Sequence, residues 1–289
     1  MTESDFIAAL RALAVDPAAR GLADDAAVLE FGGETLVLTH DVLVEGVHVL
    51  PASDPADIAW KLVAVNLSDL AAKGAEPVGI LLGHMLGDGD ERFLQGLHAV
   101  LDAYGVPLLG GDTVKGGAQR SWGVTALGRA THIPAPSRSG AQVGDGVFVT
   151  GTLGAAMLGH AALTGGAEAD TIAYLRPTPL LAEGRALAPL VSAMMDVSDG
   201  VLLDAWRLAS ASGVTLELDS AAIPVADEAR RGECLRWGDD YQLLFTAPAD
   251  AALPVAASRI GTVAAHDSGV LRLDGHPLSP DDGLGYTHG

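Results

Sequence analysis

Apolar residues recur along the chain in two periods, one typical of helices and the other of short buried strands. Ile58, Leu62 and Val65 recur at helical spacing, which predicts a helix that begins near Asp57 and ends before Gly74. Further helices are predicted over 2–14, 91–104, 151–164, 179–190 and 201–211. Short apolar runs between turn residues predict strands over 35–39, 78–85, 106–109, 122–130, 147–150, 193–195 and 214–218.

Strands and helices occur in a mixed order in both halves, so the predicted fold class is α+β, with two α/β layer domains. The chain has 289 residues, more than one typical domain. The segment Pro134-Ala135-Pro136-Ser137 is typical of a linker. We therefore expect an N-terminal domain over 1–135 and a C-terminal domain over 136–289.

The helix predicted between Asp57 and Gly74 carries polar residues on one side of an otherwise apolar segment. Asn66, Asp69 and Lys73 are spaced so that they share one face of its last two turns. Two interpretations are open. Asp69 and Lys73 would form a solvated ion pair worth about 0.3 to 0.5 kcal/mol, or Asp69 belongs to a functional cluster with carboxylates elsewhere in the chain.

Carboxylates stand at the ends of several predicted elements. They are Asp25 before a strand, Asp69 near the end of the helix, and Asp41, Asp112, Asp196 and Asp199 after strands. Each has a local alternative, because Asp favours turns and helix N-termini; Ser198 or Asp199 would cap a helix, and Asp112 would form an Asx turn. Since ligand sites gather where strands end at one sheet edge, we expect the carboxylates to converge.

Converging carboxylates require a cation. Two of them 4 Å apart repel by about 4 kcal/mol at an effective dielectric constant of 20. Hard oxygen ligands match Mg²⁺, which bridges carboxylates to nucleotide phosphates. Zinc is disfavoured, because the chain has one cysteine and its histidines show no ligand spacing.

The charge balance excludes several classes of partner. With a net charge of -20, the protein is not expected to bind nucleic acid or anionic membranes, which require Lys and Arg. No apolar span is long enough to cross a bilayer, and the acidic N-terminus is unlike a signal peptide. The single cysteine, Cys234, suits a reducing compartment, so we expect a cytoplasmic protein.

Motifs for covalent catalysis and for phosphate-binding loops are absent from the sequence. It has no Walker-type loop and no Gly-x-Ser-x-Gly nucleophile elbow. Arg138, just after the linker, is either a phosphate ligand or a solvated surface residue, and His48 is either a ligand contact or a residue at the edge of the core.

Eight short motifs, in order, resemble those of the thiamine-monophosphate kinase family, and they extend over nearly the whole chain. They are Asp24-Asp25-Ala26, Thr39-His40-Asp41, Glu45-Gly46-Val47-His48, Asn66-Leu67-Ser68-Asp69-Leu70-Ala71-Ala72, Gly110-Gly111-Asp112-Thr113, Arg138-Ser139-Gly140-Ala141, Asp196-Val197-Ser198-Asp199-Gly200 and Gly238-Asp239-Asp240-Tyr241.

The resemblance implies ATP-dependent phosphorylation of thiamine monophosphate to thiamine diphosphate. It also implies the two-domain architecture of the aminoimidazole ribonucleotide synthetase superfamily, with an N-terminal domain whose mixed sheet pairs in a homodimer. Because the acceptor is itself a phosphate, in-line transfer assisted by Mg²⁺ needs no strong general base, and none is assigned.

The resemblance also implies roles for residues of this chain. Substrate contacts fall on His48 and Asp239. ATP contacts fall on Tyr104, Gly111, Asp112, Arg138 and Ser198. Magnesium sites fall on Asp25, Thr39, His40, Asp41, Asp69, Asp112, Asp196 and Asp199.

The chain departs from the family pattern at several positions. His40 replaces a threonine, Lys73 a methionine and Asp239 a glutamate, and the family's C-terminal stacking ring falls near Gly283, with Tyr286 close by. Two alternatives are therefore retained. One is another ATP-using enzyme of the superfamily, although such enzymes have a characteristic cysteine near the N- or C-terminus and Cys234 lies at neither place. The other is a non-catalytic magnesium-nucleotide-binding protein.

Overall fold

The computed structural model describes residues 2–165, 168–266 and 269–287. The elements of the first half are α1 (Glu3–Arg11), β1 (Ala27–Phe31), β2 (Glu34–Val44), α2 (Pro55–Ala72), β3 (Ala75–Met85), α3 (Asp90–Tyr104), β4 (Leu108–Val114) and β5 (Ser121–Ala130). Those of the second half are β6 (Asp145–Thr150), α4 (Ala155–Leu163), α5 (Ile172–Leu175), α6 (Leu181–Leu187), β7 (Ala193–Asp196), α7 (Val201–Ser212), β8 (Thr215–Leu218), α8 (Arg231–Cys234), β9 (Leu243–Pro248), β10 (Ala257–Ala264), β11 (Leu271–Leu273) and β12 (His276–Leu278).

Each half contains one mixed sheet. The N-terminal sheet has the strand order β1-β2-β5-β3-β4, in which only β3 and β4 are parallel neighbours. The C-terminal sheet has the order β12-β11-β8-β10-β6-β9-β7, with β8 and β11 parallel. The predicted fold of two α/β layer domains is confirmed. The proposed boundary between residues 135 and 136 lies between β5 and β6, outside both sheets.

The helix α2 is the element that both domains share. Asp54 caps its first turn by accepting a hydrogen bond from the Ala56 amide at 2.9 Å, and Pro55 occupies the first helical position. Gly74 ends the helix with a φ of +58°, a conformation that favours glycine. One face of α2 packs on β2, β5 and α3, and the other on α6 and β7.

Two glycines allow this close packing. A Cβ atom at Gly184 of α6 would lie 2.0 Å from the carbonyl oxygen of Ala71, and one at Gly96 of α3 would lie 2.2 Å from that of Ala56. The apolar residues around α2 form one core that crosses from the first sheet to the second. It joins Leu62 and Leu67 of α2 to residues such as Phe245 of β9.

Two strands extend beyond their predicted ends. β2 was expected to end before His40, but its pairing with β5 continues from Leu36 to Val44. Asp112 likewise lies within β4 rather than after it. Side chains alternate between the faces of a strand, so Thr39 faces the buried side and His40 is exposed on the other.

None of the helices in the described segments combines the length and the apolar character needed to cross a bilayer.

Candidate active site

A cavity of about 830 Å³ opens where the two domains meet around α2. Its wall includes residues of β2 and α2 and of the segments that precede β1 and follow β7. Nine residues that the sequence predicts for the site line this cavity: Asp25, Asp41, His48, Asp69, Arg138, Asp196, Ser198, Asp199 and Asp239.

Three carboxylates converge in this cavity. Asp25, Asp69 and Asp196 each offer one oxygen, and these oxygens lie within 4.8 Å of one another. Thr39 Oγ1 donates a hydrogen bond to Asp69 Oδ2, and Ser68 Oγ donates one to Asp196 Oδ2 at 2.5 Å. Three hard oxygen donors at this spacing suit a divalent cation such as Mg²⁺.

The electrostatics of the cluster favour a bound cation. Burial, reinforced by neighbouring carboxylates, raises the pKa of Asp69 well above its ordinary value. Burial and the charge of Asp25 raise the pKa of Asp196 to about 8. Burial raises the pKa of Asp41 to about 6 despite the opposing effect of His40. A divalent ion would offset all three effects by stabilising the ionised carboxylates.

Two protein cations contact Asp25. Arg138 places Nε at 2.7 Å and Nη2 at 2.5 Å from Asp25 Oδ1. Burial alone would lower the pKa of Arg138, but the carboxylates of Asp25, Asp204 and Asp24 together outweigh it and raise this pKa. Lys73 Nζ lies 2.6 Å from Asp25 Oδ2 and 2.5 Å from Asp24 Oδ1. The solvated pair of Lys73 with Asp69 is therefore wrong, because Lys73 is buried and points to the segment before β1.

Asp199 sits beside the cluster and does not cap α7, because the N-cap of that helix is Gly200, which offers no side-chain hydrogen bond. Its Oδ2 forms an ion pair with Arg207, which also contacts Asp204 Oδ1 at 2.9 Å. The Asp204 side chain accepts a hydrogen bond from the Asp199 amide at 3.1 Å. Asp199 is therefore held by α7 at the rim of the cavity.

The other end of the cavity contains Asp239 and His48. The buried Lys61 of α2 places Nζ 2.6 Å from Asp239 Oδ2, and Tyr241 donates a hydrogen bond to Asp239 Oδ1 at 2.9 Å. Asp239 has a φ of +59°, which is unusual for a non-glycine residue. His48 accepts a hydrogen bond at Nδ1 from the Val44 amide at 3.1 Å.

Aromatic rings form a wall next to these two residues. Trp237 is 39% exposed, and its ring centroid lies 4.9 Å from that of His160. His160 in turn meets Tyr174 edge to face at 5.1 Å. Burial, with a contribution from Lys61, lowers the pKa of His160 and so favours the neutral ring. This end of the cavity therefore offers flat aromatic surface and one carboxylate.

Some predicted residues do not reach the cavity within one chain. The ring of His40 lies on the outer face of β2, where Nδ1 is 2.9 Å from Thr125 Oγ1. Gly111 and Asp112 lie on the exposed edge strand β4. This strand is three strand spacings, about 14 Å, away from β2. Tyr104 ends α3 and contacts Trp60 edge to face at 6.0 Å. Gly283 likewise lies outside the cavity lining, whereas Tyr286 belongs to it.

Sequence reasoning missed several residues of the site. Lys61 lies in a segment of α2 that is apolar on every side, and a charged residue in such a segment signals a buried partner. Trp237 directly precedes the motif with Asp239, so its position in the sequence was a usable signal. His160 and Tyr174 come from α4 and α5 and gave no such signal, because only the tertiary fold brings them together.

Comparisons with known proteins place the chain in a family. Residues 23–130 match the family model "AIR synthase related protein, N-terminal domain", and residues 142–274 match "AIR synthase related protein, C-terminal domain". The thiamine-monophosphate kinase of Salmonella typhimurium is 38% identical to the chain, over 93% of this chain and 91% of that protein.

Solved structures agree with these matches. The structure described as "AaThiL complexed with AMPPCP and TMP" superposes with a TM-score of 0.89 at 30% identity, covering 100% of this chain and 97% of that one. The thiamine-monophosphate kinase of Stenotrophomonas maltophilia superposes with a TM-score of 0.78 at 36% identity, covering 95% and 96%. The chain therefore belongs to the thiamine-monophosphate kinase family of AIR synthase related proteins.

Proposed function

We infer that the chain transfers the terminal phosphoryl group of ATP to thiamine monophosphate and so forms thiamine diphosphate. The observation that carries this conclusion is the cavity, which joins a carboxylate cluster to an aromatic wall. A carboxylate cluster suits metal-bound phosphates, and an aromatic wall suits the flat, cationic ring of thiamine. The similar kinases, and a similar structure with AMPPCP and TMP, support the same activity.

We propose that Mg²⁺ is the metal. Asp25, Asp69 and Asp196 would hold it, with Asp41 and Asp199 beside them. Bound Mg²⁺ would neutralise charge on the transferred phosphoryl group and link phosphates to the protein. Thr39 contributes by donating a hydrogen bond to Asp69 Oδ2, which leaves the other Asp69 oxygen available as a ligand.

The protein's own groups position the two substrates. Arg138 adds fixed positive charge beside Asp25 and is proposed to bind the ATP phosphates, with Ser198 close to them on the cavity wall. At the other end, Asp239 and His48 are proposed to contact thiamine monophosphate, and Trp237 to stack on its ring. The acceptor is a phosphate, so positioning and charge neutralisation replace a general base.

We propose that the protein forms a homodimer through the outer face of its N-terminal sheet. Apolar side chains are exposed on that face, among them Val42 at 43% and Leu81 at 46%. In such a dimer, residues of one subunit could contact the nucleotide bound to the other subunit. This would account for the remaining proposed ATP and metal contacts, which are Tyr104, Gly111, Asp112 and the backbone of His40. Sedimentation at several protein concentrations would test the pairing; a monomer at all of them would reject it.

The kinase function is tested by incubating the protein with ATP, MgCl₂ and thiamine monophosphate and measuring thiamine diphosphate. We expect product only when all three are present. ATP binding without formation of thiamine diphosphate would reject the kinase and favour the nucleotide-binding alternative. ADP release that does not depend on thiamine monophosphate would favour another enzyme of the superfamily. The cytoplasm is proposed as the site of this activity, because a single cysteine, Cys234, suits a reducing compartment.

A further inference from the structure

The ammonium group of Lys73 is completely buried among oxygen atoms at the edge of the carboxylate cluster. Its Nζ lies 2.5 Å from Asp24 Oδ1, 2.6 Å from Asp25 Oδ2 and 3.1 Å from the carbonyl oxygen of Met194. The Lys73 side chain is 0% exposed. A lysine is rarely buried to this extent without a negative partner, and here two carboxylates surround it.

Lys73 is the centre of a row of side chains with alternating charge. Arg20 lies 2.6 Å from Asp24 Oδ2, and Arg138 lies 2.5 Å from Asp25 Oδ1. Each of the two carboxylates therefore touches two cations, one of them Lys73. The negative charge of Asp25 is neutralised by the protein itself, before any metal ion binds.

Asp25 is also one of the three carboxylates that converge in the cavity. Both of its oxygens already contact a protein cation, Oδ1 that of Arg138 and Oδ2 that of Lys73. Arg138 is 18% exposed and belongs to the cavity wall, where a phosphate could reach it. The Lys73 side chain, in contrast, is shielded from solvent by the surrounding residues. A metal ion that ligates Asp25 therefore meets a fixed positive charge.

We propose that Lys73 is a built-in cation of the active site, which takes the place of a second divalent ion at Asp25 and so limits how many such ions the carboxylate cluster binds. The proposal rests on the metal role proposed above for this cluster. It assigns to the end of α2 a part in metal stoichiometry, while Asp25, Asp69 and Asp196 still converge on the one ion proposed above.

The test measures Mn²⁺ binding to the metal-free protein without nucleotide, using the electron paramagnetic resonance signal of free Mn²⁺. The variant Lys73→Met removes the charge and keeps a similar volume. It leaves Asp24 with Arg20 and Asp25 with Arg138, so each carboxylate retains a partner. We expect Lys73→Met to bind about one more Mn²⁺ per chain, or to bind Mn²⁺ about tenfold more tightly, than the unaltered protein.

Two controls separate charge at this position from other effects. Lys73→Arg keeps the charge and is expected to bind Mn²⁺ as the unaltered protein does, and Lys115→Met removes an exposed lysine and is expected to do the same. If Lys73→Met does not fold, the double variant Asp24→Asn with Lys73→Met removes both charges of a buried ion pair and leaves neither unpaired. The same gain in Mn²⁺ binding is expected for it. Equal Mn²⁺ binding by folded variants and unaltered protein, or no Mn²⁺ binding by either, would overturn the proposal. Failure to form thiamine diphosphate would instead reject the kinase function.

Discussion

Lys61 Nζ lies 2.6 Å from Asp239 Oδ2, and this ion pair joins α2 to the segment that precedes β9 in the other domain. Lys61 is buried, and its ammonium also lies 4.0 Å from the centre of the Tyr174 ring. Asp239 adopts a backbone conformation that is unfavourable for a non-glycine residue and needs support from its surroundings. The ion pair with Lys61 supplies part of this support and so keeps Asp239 in the cavity wall.

We expect Lys61→Met to raise the KM for thiamine monophosphate with little change in the KM for ATP, since only the acceptor end of the cavity loses a support. The free energy of unfolding should fall by roughly 1 to 3 kcal/mol, less than for a fully buried pair, because Asp239 is 25% exposed. Steady-state kinetics and thermal unfolding measure these effects. Lys115→Met, which removes an exposed lysine, is the control and should change neither quantity. If Lys61→Met also leaves the KM for thiamine monophosphate and the free energy of unfolding unchanged, Lys61 does not support Asp239.

Asp69→Asn should lower turnover on the order of 100-fold or more, because it removes one negative charge from the three converging carboxylates. The amide retains the shape of the side chain and an acceptor for the Thr39 hydroxyl, so circular dichroism should be unchanged. Asp250→Asn changes an exposed carboxylate and should be neutral. Near-normal turnover of folded Asp69→Asn would show that the cluster is not needed for the reaction.

The metal-free protein should lose stability as the pH rises. Burial raises the pKa of Asp196 from 3.8 to about 8, so the native state binds more protons than the unfolded chain between these values, and each rise in pH favours unfolding. We expect a lower unfolding temperature at about pH 8.5 than at about pH 6, and a smaller difference in Asp196→Asn. Addition of MgCl₂ should stabilise the unaltered protein more at the higher pH. A pH-independent unfolding temperature would contradict the shift.

Trp237→Ala should raise the KM for thiamine monophosphate by roughly tenfold, because loss of a stacking ring over a cationic group costs about 1 to 2 kcal/mol. Trp237→Phe retains an aromatic face and should recover most of this loss. The KM for ATP should be the same in all three proteins. An unchanged KM for thiamine monophosphate in Trp237→Ala would place the ring of the substrate elsewhere.

Gly184→Ala should destabilise the protein by roughly 1 to 3 kcal/mol, because its Cβ would collide with the backbone of α2 at Ala71. Gly232→Ala is the matched control. Its Cβ would meet only the end of Arg236, 3.9 Å away, so this change should be neutral or slightly stabilising. Urea unfolding measures both, and equal stability of Gly184→Ala and the unaltered protein would mean that α6 can move away from α2.

The sequence was sufficient to predict α2 and its end at Gly74, because periodicity and turn residues are local signals. The expectation that carboxylates converge is met by Asp25, Asp69 and Asp196, but not by Asp112, which lies on the edge strand β4. The sequence did not predict how far β2 extends, since that depends on pairing with β5. It also missed the partners of Lys73 and Lys61, which are distant in sequence. Long side chains in a buried helix have partners that only the tertiary fold determines.

The position of α2 between the two domains also affects how the protein is made. A ribosome releases α2 well before it releases α6 and β7, the elements of the second half that pack on this helix. During that interval Leu67 and Ala71, both fully buried in the finished protein, lack part of their cover. The nascent N-terminal half therefore exposes an apolar surface until the C-terminal half packs on α2.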